Sequence, residues 1–362
     1  MLARAVVNTK AARCLKKLRP ETSMGASDVS RIIVDGHGGD SAPHVVVDAL
    51  AEILSSQTQV EFGICGQPEV LQPVLQSKGL EGIVKIIPAE DVIDMCDAPA
   101  LALRRKKQSS MHVAARAVRD GDWDAMVSAG NTGALMAISK LILKTLPSID
   151  RPALASMIPA ADGGTFFLDI GANVDCSSEH LVQFAVMGSC YLQAAEGIDS
   201  PRIGLLNIGS EDVKGTDVIK VAATRLKASD LNFIGNVEGT DLFGDQVDVV
   251  VCDGFVGNVS LKTMEGVAAL MLKTVKEELT SSWVAKMGAM LSGKALKRVK
   301  NALHPSEHNG APLLGLNGIV VKSHGSADAH GYACAIDVAI REVEAGLIER
   351  TLDTMNQMSD AV

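Results

Sequence analysis

Aromatic residues are scarce in this sequence, and the chain carries no excess of positive charge. Phe, Trp and Tyr together make up 3% of the 362 residues, and the formal net charge at pH 7 is −9. Proteins that bind single-stranded nucleic acid stack bases on aromatic rings, and a nucleic-acid backbone attracts a positively charged surface. The composition therefore argues against a nucleic-acid partner.

The cysteines show neither paired spacing nor an even number. There are seven of them, and no two form a C-x-x-C motif. A disulfide framework and a zinc site both depend on such patterns, so neither is predicted. Most of the cysteines have apolar neighbours, which indicates small buried side chains in a reducing cytoplasm.

Long apolar runs are also absent. No stretch reaches the length of a secretory signal or of a membrane-spanning helix. Residues 1–30 instead contain six basic residues against Glu21 and Asp28. We expect this basic extension to be disordered, or the protein to begin at Met24; a basic transit peptide is the alternative.

Glycine, by contrast, is plentiful, with 33 residues, and 47% of the chain is hydrophobic. Apolar runs of strand length recur, and their lack of alternation is typical of strands buried on both faces. Amphipathic patterns lie between many of them, including Ser178 to Ala195 and Ala327 to Ile348. This order predicts an α/β fold: a doubly wound, mostly parallel sheet with helices on both faces. The nine predicted strands lie in RIIVDG, EFGICG, VKIIPA, AMVSAG, TFFLDIG, RIGLLNIG, NFIGNV, VDVVVCDG and GIVVKSHG.

One region, residues 259–303, interrupts this alternation. Apolar residues recur at helical spacing from Met264 to Leu279, and a basic helix is predicted after Ser292 and Gly293. We expect a projecting helical hairpin with its tip near residues 283–293 and its first helix in a dimer interface. On this prediction residues 31–350 form a single domain that includes the hairpin, and residues 351–362 form a tail.

Six polar, glycine-rich turns follow predicted strands, at residues 35–43, 128–133, 169–177, 207–216, 253–262 and 323–328. Ligands of open parallel sheets bind beyond the carboxyl ends of the strands, so we expect these turns to line one polar cleft. Helix N-termini at such turns offer N–H donors to an anion. The turn SAGNTGAL lacks the lysine of a nucleotide-binding P-loop, and no dinucleotide fingerprint is present. A small anion such as phosphate is therefore favoured.

The motifs in and around these turns are collinear with those of one known family. They are VDGHGGDSAP, RRKKQSSM, SAGNTGAL, DRPALA, DIGANVDCSSEHLVQFAVMG, GLLNIGSEDVKG, FIGNVEG, DGFVGNVSLKT and HGSAD. From about Arg31 to about Ile348, the sequence closely resembles the bacterial phosphate acyltransferases called PlsX. One departure is Gly36-His37, where the family usually has Ala-Met; His37 is thus either a neutral variation or an extra ligand contact.

The resemblance implies an enzyme that converts acyl-acyl carrier protein and inorganic phosphate to acyl phosphate for phospholipid synthesis. It also implies a cytoplasmic homodimer that uses no metal or cofactor and associates peripherally with the membrane surface. The acyl phosphate would then pass to the downstream membrane glycerol-phosphate acyltransferase.

Phosphate attack on a thioester needs little nucleophile activation, because phosphate is anionic and a thiolate leaves readily. We therefore predict direct transfer without an acyl-enzyme, supported by positioning and oxyanion stabilisation. The candidate catalytic residues are Asn131, Lys214 and His324. The candidate substrate and phosphate contacts are Gly130, Thr132, Gly133, Gly38, Gly39, Asp40, Lys107, Ser109, Asn173, Asn207, Glu211, Gly254, Asn258, Gly325 and Ser326.

The hairpin supplies two further sets of candidates. Carrier-protein docking is predicted at Lys294, Lys297, Arg298 and Lys300, and membrane contact at Trp283, Val284, Met287 and Leu291. The basic run RRKKQSS at residues 104–110 is either substrate-facing or a solvated loop that opens the next helix.

Two other functions remain open from the sequence. One is a phosphotransacetylase-like enzyme that uses acyl-coenzyme A on a similar fold. The other is a non-catalytic lipid-pathway scaffold that dimerises through the hairpin, although a scaffold has no need of six polar turns.

Overall fold

The computed structural model describes residues 29–55, 59–160, 163–303, 306 and 309–360. The predicted basic extension, residues 1–30, lies outside the described residues except for its last two. Within the described ranges, eleven strands form one sheet. The strands are β1 (Ser30–Asp35), β2 (Val60–Gly66), β3 (Lys85–Pro88), β4 (Ala125–Ser128), β5 (Ala153–Ile158), β6 (Thr165–Leu168), β7 (Ile203–Leu206), β8 (Phe233–Val237), β9 (Val249–Val251), β10 (Ala311–Leu314) and β11 (Ile319–Lys322).

The strands fall into two parallel sets that run in opposite directions. Their order is β3-β2-β1-β4-β11-β10-β5-β6-β9-β7-β8. The first strand set (β3, β2, β1, β4 and β11) is parallel throughout, as is the second strand set (β6, β9, β7 and β8). Between them, β11 to β10, β10 to β5 and β5 to β6 are three antiparallel pairings in succession. An odd number of reversals leaves the second set pointing against the first.

The part of the chain that the structure describes contains twelve α-helices. They are α1 (His44–Leu54), α2 (Pro68–Ser77), α3 (Pro99–Arg105), α4 (Ser110–Arg119), α5 (Thr132–Leu143), α6 (Ser178–Ala195), α7 (Asp217–Lys227), α8 (Gly254–Thr280), α9 (Trp283–Leu291), α10 (Gly293–Leu303), α11 (Ala329–Glu344) and α12 (Leu347–Asp360); a 3₁₀ turn spans Asp241–Phe243. The predicted α/β fold, with a mostly parallel sheet and helices on both faces, is confirmed.

Side chains alternate between the two faces of each strand and so feed different cores. In β1, Ile32 and Val34 join a cluster with α1, α2 and α11, whereas Ile33 points to the other face. In β6, Phe166 and Leu168 pack with α6, and Phe167 points to the same face as Ile33. One core cluster on that face extends across both strand sets, and we call this face of the sheet the shared face. Helices α4 and α5 cover it from the first set, and the start of α8 packs on it from the second.

The predicted helical excursion is present, with three helices rather than two. Helix α8 continues well beyond the sheet, and its only buried residues are Gly254 and Gly257. The expected tip forms a helix of its own, α9, because Ser282 caps it by accepting a hydrogen bond from the Ala285 N–H at 3.1 Å. The basic helix α10 begins at Gly293, as predicted.

The expected C-terminal tail is a helix in the structure. Helix α12 carries Thr351 and Met355 into the core of the second strand set, where α6 also packs. Helix α11, immediately before it, packs Tyr332 and Ile336 on the first strand set. The last forty residues therefore contact both parts of the sheet, since the two helices are joined at Ala345 and Gly346.

Candidate functional site

Three polar side chains lie together where β1, β4 and β11 end. Asp35, Ser128 and Lys322 are the last residues of these strands, and all three are buried. Lys322 pairs with Ser128 across the sheet, and the Ser128 hydroxyl donates to Asp35 Oδ2 over 2.6 Å. The residues two positions earlier belong to the core of the shared face, so all three side chains point to that face.

Glycines allow the turns after these strands to pack against one another. A Cβ atom on Gly38 would lie 2.6 Å from Asp35 Oδ2 and 2.7 Å from the Gly130 nitrogen. Gly39 has a φ of +101°, and a Cβ atom at this position would lie only 3.0 Å from the Gly325 carbonyl oxygen. That carbonyl accepts a hydrogen bond from the Asp40 N–H at 2.8 Å. The structure thus brings together Gly38, Gly39, Asp40, Gly130 and Gly325, as the sequence predicted.

Asn131, a predicted catalytic residue, has its amide engaged in holding the turn. Its Oδ1 accepts from the Ala134 N–H at 3.0 Å and so caps helix α5. Its Nδ2 donates to the carbonyl oxygens of Met95 at 2.8 Å and Asp97 at 3.0 Å. Both ends of the amide are therefore used to join α5 to the loop before α3. An anion at this turn would meet backbone N–H groups rather than the Asn131 side chain.

Thr132 and Gly133 form the first turn of α5. Thr132 is exposed. A Cβ atom on Gly133 would lie 2.7 Å from Pro99 Cγ, so this glycine is required by the close approach of α3. The sequence could not separate this packing role from ligand contact.

His324 and Ser326 lie at the same edge of the sheet, in the turn after β11. His324 Nδ1 lies 2.9 Å from the Ser326 hydroxyl. The backbone N–H of His324 donates to Asn309 Oδ1 at 2.9 Å, and Asn309 Nδ2 donates to the Ser323 hydroxyl at 2.8 Å. The imidazole is thus held at the exposed side of the turn.

His37 has a structural contact that explains its place in the first turn. Its Nε2 accepts from the Gln67 N–H at 3.0 Å, which ties the turn to the end of β2. Burial lowers the pKa of His37, which favours the neutral ring that this acceptor role requires.

The remaining turns form a second group. The turns at residues 169–177, 207–216 and 253–262 follow strands of the second set, which run against those of the first set. Lys214 is an exposed residue of this second group, whereas Asn131 and His324 belong to turns of the first group. The turns of the two groups are equally polar, so their sequences do not indicate the direction of the strands that precede them.

Asp169 organises the second group from a fully buried position. Its carboxylate accepts hydrogen bonds from the N–H groups of Leu154, Gly171, Ala172 and Asn173, and from Asn173 Nδ2. Burial raises its pKa, against the opposing effect of these hydrogen bonds. The carboxylate thus fixes the turn.

Helix α8 begins directly on this turn. The Gly254 N–H donates to the Asn173 carbonyl oxygen at 2.7 Å, and Asp253 caps the helix by accepting from the Val256 N–H. A Cβ atom on Gly171 would lie 3.5 Å from Asn258 Cβ. Asn173, Gly254 and Asn258 are therefore neighbours, as predicted.

The turn after β7 closes on itself. Asn207 Oδ1 accepts from the Ile208 N–H at 2.8 Å, and its Nδ2 donates to the Lys214 carbonyl oxygen at 3.2 Å. The carbonyl oxygen of Glu211 accepts from Asn236 Nδ2 at 3.3 Å. These contacts give Asn207 a local structural role, while the Lys214 and Glu211 side chains are exposed.

The basic run at residues 104–110 opens a helix. Ser109 is fully buried and caps α4, accepting from the His112 N–H at 3.3 Å. Lys107 is exposed, and its carbonyl oxygen accepts from Arg116 Nη1 at 2.8 Å. Ser109 is accordingly a capping residue, whereas Arg104, Arg105 and Lys107 are exposed.

The predicted hairpin contacts are on the surface. Trp283 is 78% exposed and Leu291 83%, with Val284 and Met287 also exposed. Lys294, Lys297 and Arg298 are exposed on α10, whereas the side chain of Lys300 lies outside the described residues.

Sequence reasoning missed Lys322. It is a lysine at the end of an apolar strand, in IVVKSHG, and is only 8% exposed. Burial lowers its pKa to about 8, although the negative charges of Asp35 and Asp40 oppose the shift. A charged residue inside an otherwise apolar strand was the available signal, because charges are rarely buried without a role.

Comparison with known proteins assigns the chain to a family. The family described as fatty acid synthesis protein matches residues 30–350. The phosphate acyltransferase of Magnetococcus marinus is 48% identical over 332 residues, covering 90% of this chain and 95% of the relative. That of Methylococcus capsulatus is 45% identical, covering 91% of this chain and 98% of the relative.

Solved structures share the fold at much lower identity. A phosphotransacetylase from Streptococcus pyogenes has a TM-score of 0.58 at 19% identity, covering 88% of this chain and 94% of that chain. A branched-chain phosphotransacylase from Enterococcus faecalis V583 has a TM-score of 0.56 at 14% identity, covering 86% of this chain and 98% of that chain. The sequence relatives cover almost the whole fold and carry one activity; the chain therefore belongs to the fatty acid synthesis protein family, as a member of the PlsX phosphate acyltransferases.

Proposed function

We propose that this phosphate acyltransferase takes a long-chain fatty acyl group from acyl-acyl carrier protein and delivers it to inorganic phosphate for phospholipid synthesis. The observation that carries the proposal is the family match over residues 30–350, whose description places its members in fatty acid synthesis. Fatty acyl groups in that process are held as thioesters on a carrier protein. Such a thioester is thus the expected donor.

In the proposed step, an oxygen of hydrogen phosphate attacks the thioester carbonyl carbon directly. The carbon–oxygen bond forms, the carbon–sulfur bond breaks, and the phosphate proton is transferred to the departing thiolate. The products are acyl phosphate and the free thiol of the carrier. The protein's part is to position both substrates and to stabilise the oxyanion of the tetrahedral intermediate.

Four of the six cysteines within the described residues support a reaction without an acyl-enzyme. Burial raises the pKa of the thiols of Cys65, Cys190 and Cys252, and that of Cys176 to about 11. A thiol reacts as the thiolate, so these four are poor nucleophiles at neutral pH. We assign the oxyanion or leaving-group role to His324, at the edge of the sheet where Lys322 also lies.

We place carrier-protein docking on helix α10. A carrier protein is acidic, and so is this chain, which means that docking needs a local positive patch. Lys294, Lys297 and Arg298 offer three exposed cations on one short helix. Arg104, Arg105 and Lys107 are the second choice.

We further propose a homodimer that binds the membrane surface through α9. None of the helices in the part of the chain that the structure describes is long and apolar enough to cross a membrane. Exposed apolar residues of α9 lie beside cations, which suits adsorption to an anionic bilayer. A protein at that surface can pass acyl phosphate to the membrane glycerol-phosphate acyltransferase.

A comparison of two donors tests the proposal. Palmitoyl-carrier protein and palmitoyl-coenzyme A are each incubated with the protein, with and without inorganic phosphate, and acyl phosphate and free thiol are measured. We expect phosphate-dependent product with the carrier donor, weakened when Lys294, Lys297 and Arg298 are changed to Glu. Preference for the coenzyme A donor would favour the phosphotransacetylase-like alternative, and no product with either donor would favour the scaffold.

A further inference from the structure

Lys322 is a buried cation without a carboxylate partner at ion-pair distance among the described residues. Its Nζ donates to the carbonyl oxygen of Ser323. The nearest acidic groups that act on it electrostatically are Asp35 and Asp40. Of these, Asp35 is already engaged, since it accepts from the Ser128 hydroxyl and from the His37 N–H. A buried ammonium of this kind is costly unless something else neutralises it.

A second cation approaches Lys322 from the other part of the molecule. Lys262 lies on the third turn of α8, the helix that begins on the second strand set. It is exposed and pairs with Glu265 at 2.7 Å, yet its charge acts on Lys322 and disfavours the protonated ammonium there. Leu261 and Met264, on either side of Lys262, pack against the core of the shared face, so this part of α8 lies on the face to which Lys322 points.

The surroundings of Lys322 also favour an anion. The turns after β1, β4 and β11 follow strands that end at Asp35, Ser128 and Lys322, and Gly38 and Gly39 let these turns pack closely, so that their backbone N–H groups lie near the strand ends. Helix α5, twelve residues long, begins at the same edge, and its N-terminus carries a partial positive charge.

We propose that Lys322 and Lys262 bind the phosphate substrate between them, on the shared face of the sheet. The inference rests on the proposed function, since it names the residues that hold the nucleophile of that reaction. A phosphate dianion placed there pairs both ammonium groups and removes their mutual repulsion. The attacking oxygen would then lie at the junction of the two strand sets, next to the turn that carries His324.

Phosphate binding can be measured without an acyl donor. We expect inorganic phosphate to raise the melting temperature of the wild-type protein in a concentration-dependent way. Lys322→Met should weaken this apparent affinity at least tenfold, because it removes a charged hydrogen-bond donor that phosphate would otherwise use. Lys262→Met, on the exposed surface of α8, should weaken the apparent affinity for phosphate severalfold. This variant tests the proposal if Lys322→Met fails to fold.

The matched control is Lys220→Met, which removes an exposed lysine of α7, at the other edge of the sheet. It should leave phosphate stabilisation unchanged. In the acyl-transfer assay, both site variants should raise the KM for phosphate while the KM for the acyl donor stays the same. Folded Lys322→Met and Lys262→Met proteins with wild-type phosphate affinity would overturn the proposal. A wild-type protein that binds phosphate but transfers no acyl group would instead overturn the proposed function alone.

Discussion

Glu342 is a carboxylate in the interior, and its protonation links stability to pH. It is 2% exposed, and among the described residues its Oε1 has no hydrogen-bond partner. Burial raises its pKa to about 8, with the neighbouring Arg341 opposing the shift, and Tyr191 is the other titratable group close to it. Between pH values of about 4.5 and about 8, Glu342 is therefore protonated in the native protein and ionised in the unfolded chain.

We expect the free energy of unfolding to fall as the pH rises from about 4.5 to about 8. In that window the native state binds the proton and the unfolded state does not, and each unit of pKa difference corresponds to about 1.4 kcal/mol. Glu342→Gln keeps the neutral shape and should flatten the dependence. Urea unfolding at several pH values measures both slopes.

The control for this prediction is Glu344→Gln, an exposed carboxylate on the same helix, α11. It should leave the slope of the wild-type protein unchanged. Equal slopes for the wild-type protein and Glu342→Gln would show that Glu342 is ionised in the folded state.

For single residues, the sequence predicted which residues lie in the turns better than it predicted what each side chain does there. The glycines and Asp40 of the first turns were predicted and do lie together, because glycine at a strand end has a recognisable pattern. The Asn131 amide was predicted to contact substrate, whereas it caps α5 and binds the loop at Met95. Hydrogen-bond partners far apart in sequence decide such roles, and a single sequence does not contain them.

Among the helices, α8 depends on one close approach to the sheet. A Cβ atom on Gly257 would lie 1.8 Å from the Asp169 carbonyl oxygen, a backbone atom that cannot rotate away. We expect Gly257→Ala to displace α8 and lower the free energy of unfolding by more than about 2 kcal/mol, as overpacking of a core does. Chemical denaturation measures the change.

Gly266→Ala provides the matched control on the same helix. Nothing lies within 4 Å of a Cβ atom at Gly266. The alanine should be neutral, or stabilise the protein by up to about 1 kcal/mol through higher helix propensity. Similar stabilities for the two variants would mean that α8 adjusts its position at no cost.

Helix α9 is the element for which we predict membrane contact. Replacing Trp283, Met287 and Leu291 by Ser removes three exposed apolar side chains without opening a core. We expect the variant to lose sedimentation with anionic vesicles and to keep both its dimer and its activity in solution. Retained sedimentation would assign the membrane contact elsewhere, and loss of the dimer would place α9 in the interface between subunits.

At the level of elements, the sequence predicted what a regular pattern can reveal. All nine expected strands are present, and both missed strands, β5 and β10, are antiparallel to their neighbours. Their segments, ALASMI and APLL, are rich in alanine or short and contain proline, so their strand signal is weak.

For the whole molecule, the exposed stripe on α8 predicts how two chains associate. Val267 and Met271 are 51% and 54% exposed and lie one turn apart on the helix. Changing both to Glu should convert a dimer to monomers in analytical ultracentrifugation, because charges would be buried without partners. Lys276→Glu, on the opposite side of α8, should leave the dimer intact. A double variant that stays dimeric would exclude this stripe from the interface.

The reversal between the two strand sets was beyond sequence analysis. It depends on three antiparallel pairings, one of which, β10 with β5, joins residues more than 150 positions apart, such as Leu313 with Leu154. The periodicity of apolar residues indicates which residues are buried, but it does not indicate which strands are neighbours. Polarity at a strand end is the same in either direction, so the division of the six turns into two groups could not be predicted.

The strand order also has a consequence for how the chain folds as the ribosome makes it. β4 is complete at Ser128, but the strand that covers its free edge, β11, begins only at Ile319. At ordinary translation rates this leaves the edge of β4 open for roughly ten to forty seconds. An open apolar edge invites pairing with other nascent chains, so we expect newly made protein to depend on chaperones during that interval. Synthesis of β11 then covers the edge of β4 and ends the exposure.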